Sequence, residues 1–150
     1  MEEKETKAIE KKKRQLKRYK KNRALIERLE NKLNFLDQKI TCVKSPRFTD
    51  EPRGGQPVTM GDLVADKIET EERIERLKQK GNKLKKEILE EIDTLEEVRH
   101  AEVLEAFFID CKSMDEIADM IPCNVRTAYR LYSEGVKLLT LSSHDNDITI

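Results

Sequence analysis

The 150-residue chain predicts an all-α protein, an antiparallel helical hairpin followed by a helix-turn-helix domain. Three observations predict it. Two heptad stripes flank a segment rich in proline and glycine, two short capped helices follow them, and 40% of the residues are charged, as large exposed helical faces require. At this length the chain is one domain, or a small domain with an extension, and a compact single core is not expected.

The first element is a basic helix. Lys11 to Arg23, KKKRQLKRYKKNR, has only Leu16 and Tyr19 as apolar anchors. Its cations can neutralise phosphates, dock on an acidic protein surface, or form a solvated helix face. Lys13, Arg14, Lys17 and Arg18 are the candidate phosphate contacts within it.

From Ile26 the apolar residues step by three and four through Leu29, Leu33, Leu36, Ile40 and Val43, a coiled-coil seam. A second seam runs Ile74, Leu77, Leu84, Ile88, Ile92 and Leu95, and passes over Gly81 as a local weak point. Between them, residues 44–61 (KSPRFTDEPRGGQPVTMG) hold three prolines and three glycines, which forbid a continuous helix and leave enough chain to reverse direction. Residues 1–94 are therefore expected to form the hairpin. Phe48 and Val58 can cover its end, whereas Arg47, Arg53 and the Gly54-Gly55 pair can meet a partner.

Thr94 and Glu97 have capping-box spacing, which allows a helix boundary there, although no proline or glycine prevents one helix from Asp62 to Asp110. Val98, Val103, Leu104, Phe107 and Phe108 restart the apolar stripe, and Phe107, Phe108 and Ile109 are expected in the core of the terminal domain, residues 95–141.

Inside that domain, residues 113–139 (SMDEIADMIPCNVRTAYRLYSEGVKLL) carry the helix-turn-helix pattern and a supporting helical turn. Ser113 caps a first helix with Glu116 three residues on, and Ile117, Ala118 and Ile121 form its inner face, Ala118 being small enough for a second helix to cross closely. Pro122 ends that helix and Asn124 caps the next. Ala128, Leu131 and Tyr132 then turn inward, leaving Val125, Arg126, Tyr129 and Arg130 outward, where a major groove would meet them. The candidate DNA-binding residues are Asn124, Val125, Arg126, Thr127, Tyr129 and Arg130. An ordinary helical hairpin with two surface arginines has the same pattern. Residues 142–150 show no sustained pattern and are expected to be a flexible tail.

Equal numbers of acidic and basic residues, 30 of each, conceal a division of sign. Residues 1–44 carry 15 Lys/Arg against 7 Asp/Glu, whereas residues 61–110 carry 9 against 15, so the two arms can complement each other within the chain. Residues 111–150 hold 4 against 6, so Lys112 and Lys137 are the remaining candidates for phosphate contact in the terminal domain, and alone it should bind DNA weakly.

The stretch EVLEAFFIDCKSMDEIADMIPCNVRTAYRLYSEGVKLL resembles region four of bacterial sigma factors. Glu116, Ile117 and Ala118 match the "eIA" core, Arg126 and Thr127 the start of the recognition helix, and Val136 to Leu139 the closing turn. Pro122 replaces the usual turn glycine, and Asn124 replaces the usual Ser or Thr cap. With the basic helix, the loop and the charged helix upstream, residues 19–141 resemble small phage and prophage regulators of Gram-positive bacteria, the ArpU- and RinA-like proteins. The resemblance implies a sigma-like helix-turn-helix, double-stranded promoter or operator DNA as partner, contact with bacterial RNA polymerase, and control of late phage genes.

Cys42, Cys111 and Cys123 lack CxxC spacing, and His100 and His144 add no ligand cluster, so neither metal nor a disulfide framework is expected. No glycine-rich phosphate loop, paired-histidine motif or nucleophile beside a base appears, so no enzyme activity and no cofactor are expected. No apolar run is long enough for a bilayer or a leader, which predicts a cytoplasmic protein without membrane partners. Two functions stay open, a sequence-specific transcription regulator and a coiled-coil adaptor that binds RNA polymerase or another protein without reading DNA. The seams can also pair between chains, making a homodimer an expectation.

Overall fold

The computed structural model describes residues 2–44 and 59–148, and all the regular structure among them is helical. The elements are α1 (Glu2–Leu16), α2 (Arg18–Lys44), α3 (Met60–Ile92), α4 (Val98–Phe108), α5 (Met114–Met120) and α6 (Val125–Ile148). The loop residues Arg47, Phe48, Arg53, Gly54, Gly55 and Val58, and the Val43 side chain at the end of the first seam, lie outside the described residues. Among the described residues no helix is long and apolar enough to cross a membrane.

The chain divides into two compact units, residues 22–80 and residues 1–21 together with 81–150. The expected boundary at residue 94 is therefore not where packing divides the chain. Residues 1–21 carry enough apolar surface, centred on Leu16, to join the terminal domain's core.

In the unit of residues 22–80, α2 and α3 pair antiparallel. Leu29, Leu36, Leu63 and Ile74 are buried between them, and Ile26, Leu33, Ile40 and Leu77 are half-buried. Asn22 meets Leu77 and Asp37 meets Lys67, so the partner in α3 comes earlier as α2 advances, and Glu30 pairs with Lys78 as well. The α3 seam begins earlier than its apolar residues suggest, since Leu63, half-buried Lys67 and buried Thr70 continue the four-and-three rhythm backward from Ile74. Lys67 reaches Asp37 at 2.9 Å, and that hydrogen bond and charge hold its ammonium above the ordinary lysine range.

Asn22 likewise occupies a seam position, three residues after Tyr19 and four before Ile26, and is buried. Its Nδ2 donates to the Leu77 carbonyl at 2.9 Å, so a buried polar pair helps to pin the register of the seam. Asn22→Ala should destabilise the chain by about 1 kcal/mol, the net worth of one such bond. Urea denaturation followed by circular dichroism checks it, and an unchanged midpoint would remove Asn22 from the register argument.

In the other unit, α4, α5 and α6 enclose a core that includes Val103, Leu104, Phe108, Ile117, Ala128, Val136 and Leu139, each fully buried. Leu16 of α1 and Ile88 and Ile92 of α3 close one side, with Ile9 and Tyr19 packed against the same cluster. Lys12 is buried and forms an ion pair with Glu91, while Arg18 lies 4.0 Å from Glu87, so here the basic first arm does meet the acidic second.

The helix ends at Ile92 although no proline or glycine stops it. Thr94 and Leu95 amides fall back on carbonyls three residues earlier, at 3.1 and 3.0 Å, and Thr94 Oγ1 donates to the Glu91 carbonyl at 2.6 Å. That commitment takes Thr94 away from the expected capping box, and α4 starts from Glu97 without a side-chain cap.

Gly135 is buried where α6 meets α4. A Cβ there would lie 3.0 Å from Leu104 Cδ1 and 3.2 Å from its Cγ, and Leu104 is itself enclosed in the core. Gly135→Val should destabilise by about 1–3 kcal/mol through overpacking. Thermal unfolding measures it, and a neutral outcome would mean that α4 and α6 separate without cost.

At the C-terminal end, residues 142–148, expected to be a flexible tail, continue α6 as helix to Ile148, and the anticipated supporting turn at Val136 to Leu139 is part of the same helix. No proline or glycine follows Gly135 to interrupt the hydrogen-bond ladder.

Candidate nucleic-acid interface

Two caps and one break define this site. Ser113 Oγ accepts the Glu116 amide at 3.2 Å, which starts α5 at Met114. Ahead of it, Cys111 takes φ 57° and the Lys112 amide reaches back to the Ala106 carbonyl at 3.0 Å, giving a tight exit from α4. Cys111 is the one positive-φ residue other than glycine among the described residues, so the α5–α6 turn is built without a left-handed position there. Pro122 leaves Ile121 extended at φ −104° and ψ 104°, and the chain passes the turn without the glycine usual in comparable motifs. Asn124 Oδ1 then accepts the Thr127 amide at 2.8 Å and begins α6.

Ala118 and Ala128 are buried at the crossing of α5 and α6, where small side chains admit close approach. Leu131 and Tyr132 follow inward, as their spacing predicts. Phe107 stacks edge-on against both Phe108 and Tyr132 with ring centroids 4.9 Å apart, so α4 supports the back of α6 through an aromatic group.

Those contacts hold the front of α6 toward solvent. Val125 is 37% exposed and Tyr129 is 54% exposed, and Arg126 and Arg130 are exposed beside them. Asn124 is exposed but its carbonyl oxygen is committed to the cap, while Thr127 is half-buried. Arg130 Nε lies 3.8 Å from Glu134 Oε1. The other oxygen of Glu134 contacts His100 Nε2 at 2.9 Å, and His100 is buried between α4 and α6 with Glu97 3.7 Å from its Nδ1. This connection from core to Arg130 was not readable from spacing, because Glu134 and His100 are 34 residues apart.

The basic helix lies along the same unit. Lys13 Nζ sits 5.6 Å from the centre of the Tyr132 ring, and Lys20 Nζ 3.6 Å from that of Phe107. Burial pushes the Lys20 ammonium below the usual lysine range and the Tyr132 phenol above the usual tyrosine range, Glu10 adding to the latter. Of the expected phosphate contacts in this helix, Arg14 is exposed, Lys13 and Lys17 are half-buried, and Arg18 faces Glu87 and the Gln15 carbonyl. Lys137 is exposed farther along α6, and Lys112 Nζ lies 3.4 Å from Met120 Sδ. Asp115, Glu116 and Asp119 make the exposed side of α5 acidic. Among the described residues no group of three His, Cys, Asp or Glu side chains is placed to hold a metal ion.

A family model described as "Protein of unknown function (DUF1492)" matches residues 42–140. Comparisons with curated proteins and with solved structures give no match.

Proposed function

The chain belongs to the DUF1492 family of proteins of unknown function, and we propose that it is a sequence-specific DNA-binding transcriptional regulator. In this reading its helix-turn-helix acts as region four of a sigma factor does, in the cytoplasm of a bacterial host, on late gene promoters of a phage or prophage. Bacterial RNA polymerase is the protein partner that reading implies. The observation that carries it is the front of α6, where Val125, Arg126, Tyr129 and Arg130 stand exposed on a helix capped by Asn124 and seated on α5 through Ala118 and Ala128. A helix presented in this way fits the major groove, and an arginine there can pair with both acceptors of guanine.

Phosphate attraction has to come from outside α5, whose exposed acids oppose it. In this reading the exposed Arg14 and Lys137 supply it, whereas Lys13 lies over the Tyr132 ring on the inward side of α6.

A second reading draws support from the same acidic side of α5, which suits a basic protein surface better than a nucleic acid. It is the adaptor that binds RNA polymerase or another protein without reading DNA. Selection of random duplex DNA by the full chain, beside the Arg126→Ala, Arg130→Ala double variant at fixed salt, separates the two. The regulator enriches one motif that the double variant loses. Weak, equally salt-sensitive retention of both proteins without a motif is the outcome for the adaptor.

A further inference from the structure

We infer that Val125 and Tyr129 form a methyl-reading row, so that the DNA this chain selects contains thymines recognised through their C5 methyl groups. The inference rests on the DNA-reading proposal above and names what that face recognises.

The exposed front of α6 consists of two parallel rows. Arg126 and Arg130 are four residues apart, as are Val125 and Tyr129, and on a helix each such pair lies along one line. The arginine row offers donors alone. The other row is different in kind. Val125 has no hydrogen-bonding side-chain group, and it is 37% exposed at the first position of the helix. Tyr129 is 54% exposed. Met120, at the end of α5, adds a third solvent-facing apolar side chain at 44% exposure.

Exposed apolar surface flanked by cations suits a ligand that is negatively charged outside and locally apolar within. In the major groove the base edges present acceptors and amino donors, and the apolar group among them is the thymine methyl. Asn124, which could otherwise read adenine with both ends of its amide, spends its carbonyl oxygen on the Thr127 amide. Discrimination at the position facing Val125 is thereby left to shape and methyl contact, and at the position facing Tyr129 the ring adds apolar contact beside its hydroxyl. Arg126 heads the neighbouring row, one residue from Val125, so a guanine that it contacts would lie next to the thymines.

The test uses the full chain and the motif it selects, with deoxyuridine replacing each thymine in turn. Uridine keeps every hydrogen-bonding group and removes one methyl. Binding should weaken about fourfold at one or two positions, the transfer value of one buried methyl group. Val125→Ala should lose that sensitivity at one position and Tyr129→Ala at a neighbouring one, with circular dichroism unchanged because both side chains are exposed. Undiminished binding to an all-uridine site would overturn the inference and leave the DNA-reading proposal standing, and so would a uridine effect that persists in both variants. Failure to select any motif would overturn the proposal and the inference together.

Discussion

Truncating Leu16 to alanine should lower the unfolding free energy of the full chain by about 2–5 kcal/mol, the range for deleting a fully buried leucine side chain. Leu16 is 1% exposed and packs with Ile88 and Ile92 in the core shared by α4, α5 and α6. The loss should therefore be large although the residue lies in a segment whose other side chains are mainly lysine and arginine. Urea denaturation of the variant, with Ile68→Ala as an exposed control, gives the comparison, Ile68 being 51% exposed. Equal midpoints for the two variants would mean that α1 does not stabilise the helix-turn-helix unit. Because α1 also carries Lys13 and Arg14, a destabilised chain should lose DNA affinity as well, and measurement well below the unfolding midpoint separates the two effects.

Arg126→Ala should cost about 1–3 kcal/mol of affinity for the preferred DNA site and relax the choice of base at one position. A phosphate contact behaves otherwise, weakening all sequences alike and lowering the salt slope by about one. Competition binding with each of the four bases at every position of the selected motif distinguishes these outcomes. Undisturbed discrimination in the variant would remove Arg126 from base reading. Arg130 should contribute less, since Glu134 lies 3.8 Å from its guanidinium and also holds His100. That neighbour has to be left, or shared, when Arg130 contacts a base, and the ion pair offsets part of the gain.

Much of the helix-turn-helix was legible because its signals are local. The Ser113 and Asn124 caps act within three residues, Pro122 acts on the residue before it, and Ile117, Ala118, Ala128 and Leu131 mark one face by helical spacing. The exposed positions Val125, Arg126, Tyr129 and Arg130 follow from the same periodicity. Thr94 misled for an equally local reason. A hydroxyl at the end of one helix can bond backward to a carbonyl as readily as it caps forward, and spacing to Glu97 does not decide between them.

Seams were legible where they were apolar and obscure where they were not. Asn22, Lys67 and Thr70 occupy inward positions, and an apolar count passes over them although their steps of three and four keep the rhythm. Gly135 gave no sign of its role, since the need for a missing side chain arises only from Leu104 on another helix.

By itself, then, the sequence determined the helical class, the reversal between two seams, the start and stop of α5, and the solvent face of α6. Each depends on interactions within a few residues or on a repeat that one helix presents to its partner. Tertiary structure decided the rest: α1 closes the core of the terminal unit, Glu134 ties Arg130 to buried His100, and Gly135 lets α4 approach α6. Those facts depend on contacts between residues far apart in the chain, 34 positions for His100 and Glu134 and more for α1 and α6, and their partners are chosen by shape and burial once several helices have come together.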